Sequence, residues 1–235
     1  RDFCLSRGLG DVYKRQNKYL LTVSGRWDGA SQLAEGNKWA FFPSAALGWR
    51  LDQEEFLKDV TWLNQLKFRL GVGVTGNSAI DPYQTKGAIV SLYYPFGSAL
   101  APGYAASEPL IKDGAVAMAN KNLSWEKTTQ YNIGLDYSVL NGRISGVLDF
   151  YTSRTTDLLM AMTIPSLNGY TNTYANVGKT SNIGVDITLN TVNVKTRDFE
   201  WSTSINAAWQ KDKIDELANG KEDDINNNWF IGQAL

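Results

Sequence analysis

Residues 66–78 read LKFRLGVGVTGNS, and glycines 71, 73 and 76 fall at G-x-G-x-x-G spacing. A dinucleotide loop of that spacing follows a buried strand and opens a helix, whose first N–H groups bind a pyrophosphate. No helix opens here. Asn77, Ser78, Ala79, Ile80 and Asp81 carry no helical apolar period, and Pro82 lacks the donor that an early helical turn needs. The glycines continue an alternation of period two. Leu66, Phe68, Leu70, Val72 and Val74 share one face; Lys67, Arg69, Gly71, Gly73 and Thr75 share the other. The stretch reads as a β-strand with one apolar and one polar face, not as a cofactor loop.

The same pattern recurs along the chain. Residues 19–28, 39–50, 130–139, 143–151, 182–190 and 199–210 each alternate, making seven segments with 66–75. Tyr19, Leu21, Val23 and Trp27 line one apolar stripe; Trp39, Phe41, Leu47 and Trp49 line the next. Leu135, Leu148, Ile187 and Ile205 continue it in the later segments. No charge stands on this face in any segment. Arg26, Asp28, Arg50, Lys67, Arg69, Asp136, Arg143, Asp149, Asp186 and Glu200 all lie on the opposite face.

A protein core excludes charge as strictly as lipid does, so exclusion alone leaves a soluble sandwich open. Three features favour lipid. Aromatic residues sit at the ends of the apolar stripes and smaller residues in the middle, as in the two girdles of a membrane barrel. Segment lengths suit a tilted strand crossing a bilayer. Connections alternate: 77–128, 153–181 and 212 onward are long, whereas Leu140-Asn141-Gly142 and the turn near 195–198 are tight. Residues 52–65 break this alternation, being long on the short-turn side, and are expected to hold a short helix. The fold expected is all-β: an antiparallel transmembrane β-barrel fragment of about seven meandering strands with long extracellular loops. Seven strands do not close a barrel in the usual even-numbered way, which points to a piece of a larger wall.

Composition narrows the chemistry. The chain has 235 residues and a net charge of −1, so it carries no basic footprint for nucleic acid. It has no histidine and a single cysteine, Cys4, which removes histidine-based catalysis, histidine metal sites and internal disulfides. No apolar run is long enough for a membrane helix, which says nothing against barrel strands. Residues 1–16 show no sustained alternation. The run CLSRGLGDVYKRQ resembles translated adapter read-through at the end of an environmental reading frame. Arg1 to Gln16 are therefore set apart as non-native, and 17–235 are taken as one partial barrel domain.

Several blocks in order carry a family resemblance: FFPSAALGWRL (41–51), LKFRLGVGVTGN (66–77), LSWEKTTQYNIGLDYSV (123–139), DFYTSRTTDLL (149–159) and IPSLNGYTNTYANVGKTSNIGVDITLN (164–190). In these the chain resembles the C-terminal barrel region of SusC/RagA-family TonB-linked outer-membrane transporters of Bacteroidota. One departure is Asp186, where glutamate is expected. The resemblance implies import of oligosaccharides or peptides across the outer membrane, driven through the TonB complex. It also implies a SusD-like surface lipoprotein as lid, and a plug and TonB-contacting segment upstream of this stretch. No cofactor is expected. The alternative is a secreted or surface β-sandwich that binds glycans or adheres through one polar face. No spacing of nucleophile and base supports an enzyme.

Ligand contacts are expected in the loops. Tyr83, Tyr93, Tyr94, Phe96, Tyr104 and Trp125 in 77–128 offer flat faces for stacking on sugar rings, with packing of the loop itself as the plainer reading. Tyr170 and Tyr174 lie among asparagines and threonines suited to a polar ligand, or to a solvated loop. Asp224, Asn226 and Asn228 begin like a calcium loop, but Trp229 stands where the sharp turn needs glycine, so no metal is assigned. Lys67 and Arg69 on the inner wall are expected either to line the pore or to pair with an acid of the plug, the second being the preferred reading.

Overall fold

The computed structural model describes residues 4–15, 18–86, 90–105, 117–165, 167, 172–225 and 228–234. The strands in chain order are β1 (Cys4–Arg15), β2 (Tyr19–Ala30), β3 (Trp39–Arg50), β4 (Leu63–Asn77), β5 (Val90–Phe96), β6 (Ala99–Ala105), β7 (Ala117–Met118) and β8 (Glu126–Val139). There follow β9 (Ile144–Thr156), β10 (Leu159–Thr163), β11 (Asn172–Asn176), β12 (Lys179–Lys195), β13 (Glu200–Glu216), β14 (Asp223–Asp224) and β15 (Trp229–Phe230). Eight of them form one antiparallel sheet in the order β1-β2-β3-β4-β8-β9-β12-β13. Each wall strand pairs with the next wall strand in sequence, the meander of a barrel wall.

All seven alternating segments are strands of this sheet. Most are longer than the pattern suggests, reaching 17 residues in β12 and β13. A tilted strand crosses the hydrocarbon in about 9–11 residues, so the surplus stands beyond it. The eighth strand, β1, comes from the stretch set apart in the sequence, and it pairs residue for residue with β2 from Cys4↔Ala30 to Arg15↔Tyr19. An edge strand joins through main-chain hydrogen bonds alone, so side-chain alternation is not required there.

The uncharged stripe has no protein layer over it among the described residues. Ile187 is 42% exposed and Ile205 54%, in the middle of long, well-paired strands. A sandwich would bury these side chains against a second sheet. Aromatic rings mark both edges of the band. Tyr19 stacks near Trp49 at the short-turn end, with ring centroids 6.4 Å apart. Trp27 meets Phe41 at 5.9 Å toward the loop end.

The β3–β4 ladder stops at Ser44↔Gly73, while β2 and β3 stay paired as far as Gly29↔Trp39. Pro43, which has no N–H to donate, sits at that stop. Beyond it Phe42 lays its ring over Gly76, where any Cβ would overlap the ring. Of the three glycines that mimic a nucleotide loop, only Gly76 is sterically required; Gly71 and Gly73 have room for a side chain. Phe42, Ala30, Leu33 and Trp125 form the buried cluster, at the loop end of the sheet.

Tight turns close the other end. In Leu140-Asn141-Gly142 all three residues have positive φ, between 53° and 79°, which the Asn-Gly pair accepts readily. Residues 51–62 make a single 3-10 turn at Leu51–Gln53 followed by irregular turns, less helix than the sequence suggests. Two carboxylates organise it. Asp52 accepts from Arg50 Nη2 at 2.6 Å, Gln53 Nε2 at 2.7 Å and Leu66 N–H at 3.2 Å. Glu54 accepts from Tyr19 Oη at 2.9 Å, Trp49 Nε1 at 3.1 Å and Lys18 Nζ at 3.2 Å.

Both acids titrate below their ordinary values of 3.8 and 4.5. Burial pushes Asp52 up, and the hydrogen bonds from Arg50, Gln53 and Leu66 outweigh it. Glu54 is held down by its bonds from Trp49, Tyr19 and Lys18. A depressed carboxylate contributes stability that is full above its unfolded pKa and lost as pH falls through its folded pKa. Hydrogen-exchange protection of the Leu57 and Val60 amides is therefore expected to hold from neutral pH down to the ordinary carboxylate range and to fall only below it. Loss of protection already near neutrality would count against this clamp.

Candidate functional site

The inner face of the wall is polar, and several of its side chains pair with one another. Ser24 and Ser44 hydroxyls meet at 2.7 Å, and Thr128 and Thr155 hydroxyls at 2.8 Å. Arg69 reaches across two strands. Its Nε donates to Asp136 Oδ1 at 3.0 Å, and its Nη2 donates to Asp149 Oδ1 and Oδ2 at 3.0 and 3.1 Å. Gly134 makes room for this fork, since a Cβ there would sit 2.7 Å from Arg69 Cζ and collide with Asp149. Arg69 thus has two acids of the wall itself as partners. Parity placed all three residues on one face; the register that brings them together had no local signal.

Asp149 also lies directly opposite Asp186 in the β9–β12 register. Like charges in facing positions repel, and Arg69 offsets that repulsion. Arg69→Met is expected to destabilise the wall by roughly 1–3 kcal/mol, less than for a fully buried pair because these side chains are partly solvated. Asp149→Asn in the same chain should recover part of the loss. Urea unfolding of the complete barrel in vesicles measures both.

Beside this network a hollow of about 200 Å³ opens on the inner wall, with Thr22, Gly48, Lys67, Arg69 and Asn132 among its lining residues. It offers hydrogen-bond donors and fixed positive charge to a polar solute. Among the described residues no group of histidine, cysteine, aspartate and glutamate side chains is placed to hold a metal ion.

The loops over the wall are fastened to one another. β7 pairs in parallel with β11, which pairs with β10, so 77–125 and 157–178 share a small sheet. Asn176 Nδ2 donates to Ser124 O, and Ser124 N–H donates back to Asn176 Oδ1, both at 2.8 Å. Thr173 Oγ1 donates to Met118 O at 2.9 Å, and Asn120 Nδ2 to Tyr174 O at 2.8 Å. These asparagines and this threonine serve the loops' own backbone.

Among the described residues, the aromatic positions singled out in the sequence lie on several separate elements. Trp125 is 5% exposed, edge-to-face on Phe42 at 5.3 Å, with its Nε1 donating to Lys38 O at 3.1 Å. It is a core residue under the loops, and its faces are taken by protein. Tyr83 is 64% exposed with φ of 69°, and lines a loop cavity. Tyr93 is exposed on the separate β5–β6 hairpin, where Tyr94, Phe96 and Tyr104 lie opposite Ala101, Ala99 and Ser91. Tyr174 is half-buried on β11. Tyr170 and Asn226 lie outside the described residues.

Against known proteins, residues 9–232 match the family described as TonB dependent receptor-like, beta-barrel. TonB-dependent receptor SusC of Bacteroides thetaiotaomicron is 40% identical over 222 residues, covering 90% of this chain and 21% of SusC. TonB-dependent receptor P26 of Formosa agariphila is 37% identical over 205 residues, covering 87% of this chain and 20% of P26. The solved RagAB peptide transporter superposes with a TM-score of 0.83 at 27% identity, covering 98% of this chain and 24% of that one. The siderophore receptor PirA of Pseudomonas aeruginosa, at 16% identity and a TM-score of 0.54, shares the fold alone. The chain spans about a fifth of the length of the curated relatives it matches. The seams of the alternation, the uncovered apolar band and these matches agree: the chain belongs to the SusC/RagA family of TonB-dependent receptor β-barrels.

Proposed function

We propose that this chain is part of the barrel wall of an outer-membrane transporter that imports oligosaccharides, or peptides as in the RagAB transporter. A SusD-like surface lipoprotein closes over its loops, and TonB drives it through segments outside this stretch. Residues 17–235 are read as the partial barrel domain of that transporter. The observation that carries the reading is the two-sided sheet: an uncovered apolar band between aromatic girdles, backed by a polar wall with Arg69 held between Asp136 and Asp149. The band suits hydrocarbon, and the polar wall suits a watery passage. Exposed Tyr83 and Tyr93 in the loops are the aromatic faces offered to cargo.

The test is uptake. A strain lacking the complete gene should lose growth on one class of oligosaccharide or peptide and regain it on complementation. The complete protein should require detergent for extraction and migrate differently on gels before and after heating. Extraction without detergent, or unchanged uptake of every cargo class tried, would overturn the reading.

A further inference from the structure

Three loop segments on the outer side of the wall are fastened into one body. Gln32 Nε2 donates to Ser78 O at 2.9 Å, and Ala34 N–H to Leu123 O at 3.0 Å. Asn37 Nδ2 donates to Asn122 O at 3.2 Å, and Asn120 N–H to Gln84 O at 3.2 Å. Between segments 31–38, 82–86 and 120–122 lies a cavity of about 660 Å³, whose lining includes Lys38, Lys86, Lys121, Glu35, Tyr83 and Thr85. Three lysines against one glutamate make it cationic, in a chain whose net charge is −1. None of the four takes part in an ion pair among the described residues.

The backbones of Lys38 and Lys86 are held in place. Lys38 O accepts from Ala30 N–H at 2.9 Å and from Trp125 Nε1 at 3.1 Å, which fixes the root of its side chain. Lys86 N–H donates to Tyr83 O at 2.8 Å, closing the turn that carries both residues. Tyr83 keeps a positive φ, a conformation disfavoured for a bulky side chain, and its ring is exposed at the cavity. Leu33 below is buried, so the floor is firm. The site pairs compact cations, hydroxyl and amide groups from Ser31, Thr85 and Gln32, and one flat aromatic face.

We propose that this cavity binds an acidic oligosaccharide: the lysines take the carboxylates of uronic acid units, and Tyr83 takes the apolar face of a sugar ring. The proposal rests on the transporter reading above and narrows its cargo. Hydroxyl-rich ligands favour the polar rim, and a carboxylate on each ring suits several separated lysines better than a single terminal charge does.

The test uses the complete transporter in detergent. Affinity is measured for a short oligogalacturonate and for a neutral malto-oligosaccharide of equal length. The wild type is expected to prefer the acidic glycan and to lose that preference as salt screens the lysines. The triple variant Lys38→Gln, Lys86→Gln, Lys121→Gln should weaken oligogalacturonate about tenfold, equivalent to about 1.4 kcal/mol, and leave any neutral binding unchanged. The double variant Lys86→Gln, Lys121→Gln alters only exposed side chains and should show part of the loss, which separates misfolding from lost contact. Neutral glycan bound as tightly as acidic, or acidic binding untouched by the variants, overturns this inference while the transporter reading stands. Binding of an acidic peptide in preference to oligogalacturonate overturns it too. Failure of the complete protein to import any saccharide or peptide takes the transporter reading with it.

Discussion

Ile187→Arg is expected to destabilise the complete barrel by about 2–4 kcal/mol, the cost of a guanidinium facing lipid near mid-bilayer. The position is chosen from the register. Leu135 pairs with Leu148, Leu148 with Ile187, and Ile187 with Ala207, a row of uncharged side chains across four strands. Ile187 lies midway along β12. Thr188→Arg, one residue on, points the same charge to the opposite face, between Val147 and Asn206. That change should cost well under 1 kcal/mol, as is usual for solvated surface positions. Urea unfolding of barrels refolded into lipid vesicles measures the pair. The contrast matters more than either value, because a one-residue step keeps everything but the face. Equal costs, or a larger cost at Thr188, would mean that the apolar stripe does not touch lipid.

Which parts of this molecule were legible in its sequence follows from how each is held. The seven long strands were legible because lipid on one side and water on the other impose a strict two-residue period on every crossing. Edge strand β1 was not, since backbone pairing with β2 asks nothing of its side chains. The small sheet of β7, β10 and β11 was not, because its pairing joins Ala117–Met118 to Asn172–Thr173 across a long stretch of chain. Arg69 was correctly placed on the inner face, yet its acids follow from register, which parity does not give. The loop cavity was hidden for the same reason: Lys38, Lys86 and Lys121 come from three segments, and nothing near any one of them marks it. Aromatic residues in loops were the weakest guide. Tyr83 and Trp125 read alike in sequence, and only packing separates an exposed ring from a buried one.

Trp125→Ala is expected to cost about 3–5 kcal/mol, as for other large aromatic truncations in a packed core, and to act on the loops and not on the wall. Trp125 touches Phe42 edge-to-face, and its cluster includes Ala30 and Leu33, with Val74 and Ile80 packed against it. Its indole N–H is one of two donors to Lys38 O; Ala30 N–H is the other. Truncation therefore leaves a cavity and weakens the strap that holds segment 31–38 against residue 123. Hydrogen exchange should quicken at Ala34 and Asn37, whose amides bond within this body, and stay slow at Ile133 and Leu135 in the ladder between β4 and β9. Trp125→Phe keeps most of the ring's packing and loses one of the two bonds to Lys38 O, so about 1 kcal/mol is expected. Because Lys38 lines the cationic cavity, the alanine variant should also weaken acidic-glycan binding without touching any lysine. Uniform loosening of wall and loops together would show that the cluster is part of the barrel's global core; no change at Ala34 would show that the loops are held by their polar straps alone.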